Sequence, residues 1–222
     1  MQILQMVSKR GLLYCCAIIF NRIVPEWLFR MRYFVVFQIC PDSKTTPLSP
    51  ATCRWANSSE IDQARAFSKV AGDGQDANRQ VAIATVGDRL VAVFWSAAER
   101  FDEADLGIQF ELTENQRWLF GAMVDKSFRG RHVFPDLVDF VKDKLGRDSA
   151  SELYASVNPF NKPSMSAFKK KSLDIVGRAI VIRFFNFAIG IPSGILEADS
   201  MFTSNVHAQP IQIRMASQND AI

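Results

Sequence analysis

The sequence predicts an α/β fold in which an antiparallel hairpin part is followed by one βαβ-like crossover. Three observations carry this expectation. Val81–Val86 and Leu90–Trp95 are strand-like runs around the tight-turn pair Gly87-Asp88, the pattern of a hairpin. Trp118–Val124 leads through a basic stretch into an amphipathic helical pattern and then a further strand, Glu152–Val157. Helical and strand signals alternate along the chain instead of segregating.

Bulk composition narrows the class. The chain has 222 residues, 48% hydrophobic and 22% charged, with 18 Phe, which suits one globular domain with extensions. A net charge of +3 is too small to point to nucleic acid, while local basic clusters still suit small anionic ligands. Cys15, Cys16, Cys40 and Cys53 all lie in the first quarter and form no C-x-x-C pair. That argues against a disulfide framework or a zinc site and favours the cytoplasm. Leu12–Phe20 is apolar but too short to span a bilayer, which takes ~20 residues, and no small-residue cleavage site follows it.

Residues 8–32 read as one or two helices, broken at Pro25, with Cys16, Ile19, Ile23, Trp27 and Met31 on one face. Five basic residues against Glu26 give this arm a charge of +4. Packing on the domain or on a partner subunit is favoured over contact with a membrane surface. Tyr33–Ile39 reads as a strand, and Pro41–Pro50 as a Ser/Thr/Pro linker. The expected divisions are an arm and strand at 1–40, a linker at 41–52, a folded domain at 53–190 and a C-terminal extension at 191–222.

Within the domain, Ser59-Glu60-Ile61-Asp62 resembles a capping box. Ile61, Ala64, Phe67 and Val70 give the helix face, ended by Gly72. The hairpin follows, then an acidic loop at Glu99–Asp105, and strands at Ile108–Leu112 and Trp118–Val124. A helix begins near Pro135, buries Leu137, Val138, Val141 and Leu145, and stops at Gly146. Asn161 caps a short helix over 162–171, and Ile175–Phe187 is a strand pair or one bent strand. Residues beyond about 200 show no clear pattern.

The chemistry concentrates in "VDKSFRGRHVF", residues 124–134. A helix N-terminus exposes unpaired N–H groups and partial positive charge, and it binds phosphate oxygens. Lys126, Arg129 and Arg131 add full charge, and Gly130 lets the backbone turn tightly. A pyrophosphate is the natural guest. The bland alternative is a solvated basic turn.

The longer stretch "MVDKSFRGRHVFPDLVDFV" resembles the coenzyme A pyrophosphate loop of the GNAT-type N-acetyltransferase family, in which a strand ending in Val-Asp leads through an aromatic to Arg-Gly-x-Gly-x-Gly/Ala and a helix. Val124-Asp125 and Phe128-Arg129-Gly130-Arg131 match, whereas His132 and Phe134 replace small residues. A second stretch, "NKPSMSAFKKKSL", is similar to that family's Asn-x-x-Ala/Ser-x-x-x-Tyr-x-Lys-x-Gly-Phe. Asn161, Ser164 and Lys170 align, Phe168 stands at the tyrosine position, and Ser172-Leu173 replaces Gly-Phe. The resemblance covers about residues 53–185.

That resemblance implies a mixed, mostly antiparallel central sheet flanked by helices, here with an N-terminal helical arm. It implies acetyl-CoA as acyl donor, bound between strands 118–124 and 152–157 that splay apart, and no metal. Backbone groups near Met123 and Val124 would hold the pantetheine arm. N–H groups across Arg129, Gly130, Arg131, His132, Val133 and Phe134 would cradle the pyrophosphate. Asn161, Ser164, Phe168 and Lys170 would flank the thioester end. Phe168 cannot supply the proton that a tyrosine phenol gives the leaving thiolate, and Trp118–Val124 contains no carboxylate base. Glu111 and Tyr154 are the remaining catalytic candidates; His132 is disfavoured because its aligned position faces phosphate. No G-x-x-x-x-G-K-[ST] or G-x-S-x-G is present.

The expected function is acyl transfer from acyl-CoA, with acetyl the expected group, to a small amine or amino-sugar-type acceptor. The alternative is a catalytically degenerate acyl-CoA-binding or protein-interaction module, peripheral to a membrane through its arm. A homodimer is compatible with either reading.

Overall fold

The computed structural model of the chain describes residues 23–25, 28–39, 47–70, 78–147, 152–170 and 173–216. They form two compact units: residues 35–101 and 112–176 in one, and those described within 1–34, 102–111 and 177–222 in the other.

The first unit is a mixed, mostly antiparallel sheet with helices on both faces. Its strands are β1 (Phe29–Ile39, entering at Val35), β2 (Thr52–Trp55), β3 (Arg79–Val86), β4 (Arg89–Ala97), β7 (Gln116–Val124) and β8 (Glu152–Val157). They lie in the order β1-β8-β7-β4-β3-β2. Every neighbouring pair is antiparallel except β7 and β8, which are parallel. Helix α1 (Ile61–Ser68) packs on Val81, Ile83, Val93 and Trp95 through Ala64, Ile61 and Phe67. The intervening residue Phe94 meets Phe134 on α2 (Val133–Arg147), ring centres 5.6 Å apart. Alternate strand residues point to opposite faces, so α1 and α2 cover opposite sides. Helix α3 (Lys162–Lys170) joins α2 through Phe168, whose ring lies 5.6 Å from Phe134 and 5.1 Å from Phe37 of β1.

Local signals explain these elements, with adjustments. The hairpin turns at Gly87, φ +57°. The face of α2 buries Leu137, Val138, Val141 and Leu145 as expected, but the helix runs through Gly146 to Arg147. The capping box uses Asn57 instead of Ser59 and caps a short turn, while α1 itself follows Glu60 without a side-chain cap. The Asn57 side chain accepts from Ser59 N at 3.1 Å, and Glu60 returns to Asn57 N at 3.0 Å. A 3-10 turn, Ser58–Glu60, therefore precedes the helix. The helix ends at Ser68 with Lys69 left-handed, before the expected stop at Gly72. Asp136, buried on α2, accepts the backbone N–H groups of Leu48 and Ser49 at 3.0 and 2.6 Å, which moors the second half of the linker.

The second unit carries a hairpin of β9 (Asp174–Phe184, from Gly177 on) and β10 (Phe187–Gly194), edged by β12 (Phe202–Thr203). Beside it stands a four-stranded sheet in the order β11 (Leu196–Ala198), β13 (Ile211–Met215), β6 (Ile108–Glu111), β5 (Arg100–Glu103). Three expectations change here. The acidic loop contains strand β5. The tail is structured: Ile211, Ile213 and Met215 alternate inward, buried on β13. Phe29–Arg32, expected as helix, are the start of β1. Arg32 explains that start, since its two Nη atoms grip Glu103 and Asp105 at 2.7 and 2.9 Å and fix an extended chain. The rest of the expected arm lies outside the described residues. No described helix is long and apolar enough to cross a membrane.

Gly121 supplies a test of the sheet. It sits at φ +60°, and a Cβ there would lie 2.6 Å from Val70 and 2.8 Å from Trp95. Left-handed strain and overpacking together make Gly121→Ala cost about 2–4 kcal/mol, read as a lower urea midpoint at unchanged m-value.

Candidate functional site

The parting of β7 from β8 follows from a bulge. Opposite β4, Val93 faces Met123 but Trp95 faces Phe120. Strand β7 thus spends three residues where β4 spends two, and the left-handed Gly121 sits in the excess. Such a bulge bends its strand. On the other edge, β7 and β8 pair from Gln116/Glu152 only as far as Leu119/Ala155. Beyond that point β7 continues to Val124 without β8 as a ladder partner.

Peptide geometry says which groups face the resulting gap. Asp125 N–H donates to Val91 O on β4 at 2.8 Å. The carbonyl of Val124 belongs to the same planar trans peptide, so it points the other way, away from β4. Strand alternation turns Met123's peptide groups to β4 and Val124's to the open side. Arg129 Nε donates to Val124 O at 3.2 Å.

At the end of β7 the chain makes a 3-10 turn, Lys126–Phe128, capped by Asp125. Asp125 Oδ1 accepts from Ser127 N at 2.8 Å and from Ser127 Oγ at 2.6 Å, and Oδ2 pairs with Arg89 at 2.7 Å. These bonds, the Ser127 hydroxyl first, hold the Asp125 pKa at about 2. Arg89 and Arg131 both lie over the Phe128 ring, at 5.3 and 5.5 Å.

The backbone then passes through two left-handed residues, Gly130 (φ +79°) and His132 (φ +60°), separated by Arg131. Alternation of this kind turns successive N–H groups into a concave anion cradle. The space where a Gly130 Cβ would stand has no atom within 4 Å. Asp136 N–H bonds His132 O at 3.1 Å, which makes His132 the residue before the helix. Val133 and Phe134 then carry first-turn N–H groups that have no acceptor within the helix. Lys126, Arg129 and Arg131 lie within the seven residues that lead to this mouth, so the arrangement suits a diphosphate.

Phe134, Phe168, Phe94 and Phe37 form a continuous aromatic cluster. Phe168 is 4% exposed within it. Asn161 caps α3, its side-chain oxygen accepting from Ser164 N at 3.3 Å, and Lys170 is the last residue of that helix. Tyr154 is fully buried on β8, with its hydroxyl donating to Glu152 at 2.9 Å. Gln116 donates to the same carboxylate oxygen, which fixes the phenol toward the paired end of the two strands, opposite the gap. Glu111 belongs to the second unit, where Arg214 Nε lies 2.6 Å from it across the β13–β6 ladder. The structure therefore gathers the loop residues and the α3 residues in one unit and leaves Glu111 in the other.

Two site features escaped sequence reasoning. Arg89 reaches the loop from the hairpin, 36 residues away, and nothing local signals that. The left-handed His132 was legible only as a histidine at a glycine position. A separate polar hollow of about 280 Å³ lies among Arg54, Glu60, Gln63, Thr85 and Asp88, and it shares no residue with the gap. Among the described residues no group of three or more His, Cys, Asp or Glu could hold a metal ion.

Solved structures share this architecture. A GCN5-related N-acetyltransferase from Kribbella flavida superposes with TM-score 0.51 at 12% identity, over 83% of this chain and 65% of that one. A protein from Novosphingobium aromaticivorans assigned to the GNAT family gives TM-score 0.51 at 12% identity, over 69% and 63%. The fold is the GNAT fold. A conserved protein of unknown function from Staphylococcus epidermidis also has it, with TM-score 0.50 at 8% identity, over 70% and 63%. The chain spans a little under two thirds of the length of these three proteins. No family model and no curated protein matches the sequence. The GNAT likeness is thus one of fold.

Two outcomes test the loop. His132→Gly removes left-handed strain but adds chain entropy to the unfolded state, so stability should stay within about 1 kcal/mol. His132→Val places a β-branched residue at positive φ and should cost about 1–3 kcal/mol; urea melts distinguish them. For Asp125 the folded pKa lies below the ordinary carboxylate value. Its contribution is present above about pH 4 and is lost as pH falls through about 2. The Ser127 amide resonance should titrate with that low midpoint, and Arg89→Ala should move the midpoint upward.

Proposed function

We propose that the chain is a divergent GNAT-family acyltransferase that moves an acyl group, acetyl in the first instance, from acyl-CoA to a small amine or amino-sugar-type acceptor. One observation carries this reading: β7 leaves β8 after Leu119/Ala155 and runs on to Val124, whose carbonyl faces the gap, straight into a basic left-handed cradle. A strand with open peptide groups that ends at an anion cradle suits a ligand with an amide-bearing arm and a diphosphate.

When bound, acetyl-CoA supplies a thioester whose carbonyl the acceptor amine attacks, with loss of the thiolate. The chain's own residues do the rest. Val124 offers backbone hydrogen bonds along the gap. The N–H groups of Gly130, His132, Val133 and Phe134, with Lys126, Arg129 and Arg131, hold and neutralise the diphosphate. The aromatic cluster of Phe94, Phe134 and Phe168 supplies an apolar wall. With Phe168 in place of a phenol, the attacking amine gives its proton to water and the departing thiolate takes one from water, so the exchange balances, and a thiol pKa near ~8.5 permits it. Neither Tyr154 nor Glu111 is assigned as the base.

A second reading, a coenzyme-binding module without turnover, is favoured by one observation: Phe168 leaves the tyrosine position without an acid. Both readings fit a cytoplasmic protein.

Acetyl-CoA at about a hundred times its dissociation constant should stabilise the protein by ~2.7 kcal/mol, seen as a higher Tm, and Arg129→Glu should abolish most of that shift. An unshifted wild type would overturn both readings. Free-thiol release across a panel of amines and amino sugars then separates them. Phe168→Tyr should speed release by roughly 10²-fold. It should also cost about 1–3 kcal/mol of stability, because its hydroxyl enters an apolar cluster. Intact coenzyme binding with no release from either protein would establish the non-catalytic module.

A further inference from the structure

The β9–β10 hairpin buries one face and bares the other. Ala179, Val181, Ala188 and Gly190 are buried on the inner face, and a Cβ at Gly190 would lie 3.4 Å from Ile211 of β13. Direct partners in the ladder share a face. On the outer one these are Phe184 with Phe187, Ile182 with Ile189, Ile180 with Ile191 and Arg178 with Ser193, and Ile189 meets Phe202 of β12. Phe184, Phe187, Ile189, Ile191, Met201 and Phe202 are 45–62% exposed. Phe187 and Phe202 stack with ring centres 6.2 Å apart. Large apolar side chains present on the order of 200 Å² each. Six of them half bare leave roughly 600 Å², the upper end of what a single soluble protein exposes.

Area, charge and shape together select a second copy of the chain as the occupant. A standard interface takes about 800 Å² from each partner, with an apolar core inside a polar rim. The bare face supplies such a core. Arg178 and Ser193 at one end and Asn186 at the other, all exposed, supply rim. A surface that meets its own image across a two-fold axis cannot hold one sign of charge at its centre. Residues 175–196 contain no carboxylate and two arginines. Arg183 is buried against the carbonyls of Ala104, Asp105 and Phe185, and Arg178 lies beyond the last apolar pair, Ile180 with Ile191. The centre is therefore free of charge. Two such faces can pack as sheets do, about 10 Å apart with side chains interdigitated. A bilayer fits less well. Arg178 is the hairpin's single exposed base, whereas binding to anionic headgroups takes clusters of roughly four to eight.

We propose that the chain forms a two-fold symmetric homodimer in which the outer faces of the two β9–β10–β12 hairpins pack against each other, with Ile182, Phe184, Phe187, Ile189 and Phe202 at the centre and Arg178 at the rim.

The test uses the full chain. Sedimentation from roughly 1 to 100 μM should show a dimer, and Tm should rise with protein concentration. A substitution at a two-fold interface acts on both copies, so Ile189→Glu should raise the dissociation constant at least ~100-fold. Residue 189 points outward, so this variant should keep the wild-type far-UV spectrum. If the charge disturbs folding, Ile191→Ala serves instead, with a rise of ~10-fold expected. Arg178→Glu, at the rim, should change the constant by less than ~10-fold. A chain that stays monomeric throughout the range, or a dimer that Ile189→Glu leaves intact, would overturn the proposal. So would binding to phosphatidylcholine vesicles holding about one third phosphatidylserine that both Ile189→Glu and Arg178→Glu abolish, which would give the face to a membrane. No arm of the test uses acyl-CoA, so the dimer and the acyltransferase reading stand or fall separately.

Discussion

Strand β7 carries one residue more than β4 can match, and the candidate site depends on that mismatch. The excess falls at Gly121, the residue type that accepts φ +60° without strain, and the space for a side chain there is already taken by Val70 and Trp95. The bulge is therefore held by packing from α1's side of the sheet. Its effect is felt on the other edge, where the ladder to β8 stops at Leu119/Ala155. A regular β7 would have gone on pairing with β8 and left no peptide group open. A distortion near the core thus becomes a gap lined by backbone.

The loop beyond β7 is held by a different economy. Asp125 is engaged within the loop itself. It caps the 3-10 turn, binds Ser127 twice and anchors Arg89 from the hairpin. Two guanidinium groups over Phe128 keep positive charge gathered that would otherwise repel itself, an arrangement that cation–π attraction supports. His132 carries left-handed strain of about 1 kcal/mol, and the aromatic cluster around Phe134 holds the helix start that imposes it. Preorganisation of this sort lowers the entropy cost of binding an anion.

Much of this was legible in the sequence, for identifiable reasons. Hairpin β3–β4 announced itself through Gly87-Asp88 between two strand-like runs, and α2 through its 3.6-residue periodicity. The basic loop was legible because charge, glycine and a helix start coincide within eleven residues. Long-range ties were not legible. Arg32 with Glu103 and Asp105 is a contact across more than seventy residues, and it converts the end of an expected helix into a strand. The capping box moved from Ser59 to Asn57, onto the 3-10 turn ahead of α1, because several side chains in one short stretch compete for the same N–H groups. Strand β13 was overlooked although Ile211, Ile213 and Met215 alternate, since five residues beside a polar tail give a weak signal. Tyr154 and Glu111 were the nearest candidates on expected strands, and their partners, Glu152 and Arg214, are set by register.

By itself the sequence determined the alternation of strands and helices, the amphipathic faces that fix which side of each element is buried, and the basic loop at the mouth of α2. Those properties depend on side chains within a few turns of one another, so local periodicity and charge suffice. Tertiary structure alone decided where β7 parts from β8, which peptide groups face the gap, and that Arg89 reaches Asp125. It also decided that Phe168 stands inside a cluster of rings from four separate elements. These follow from register between strands far apart in the chain, and one residue of register turns every side chain to the opposite face.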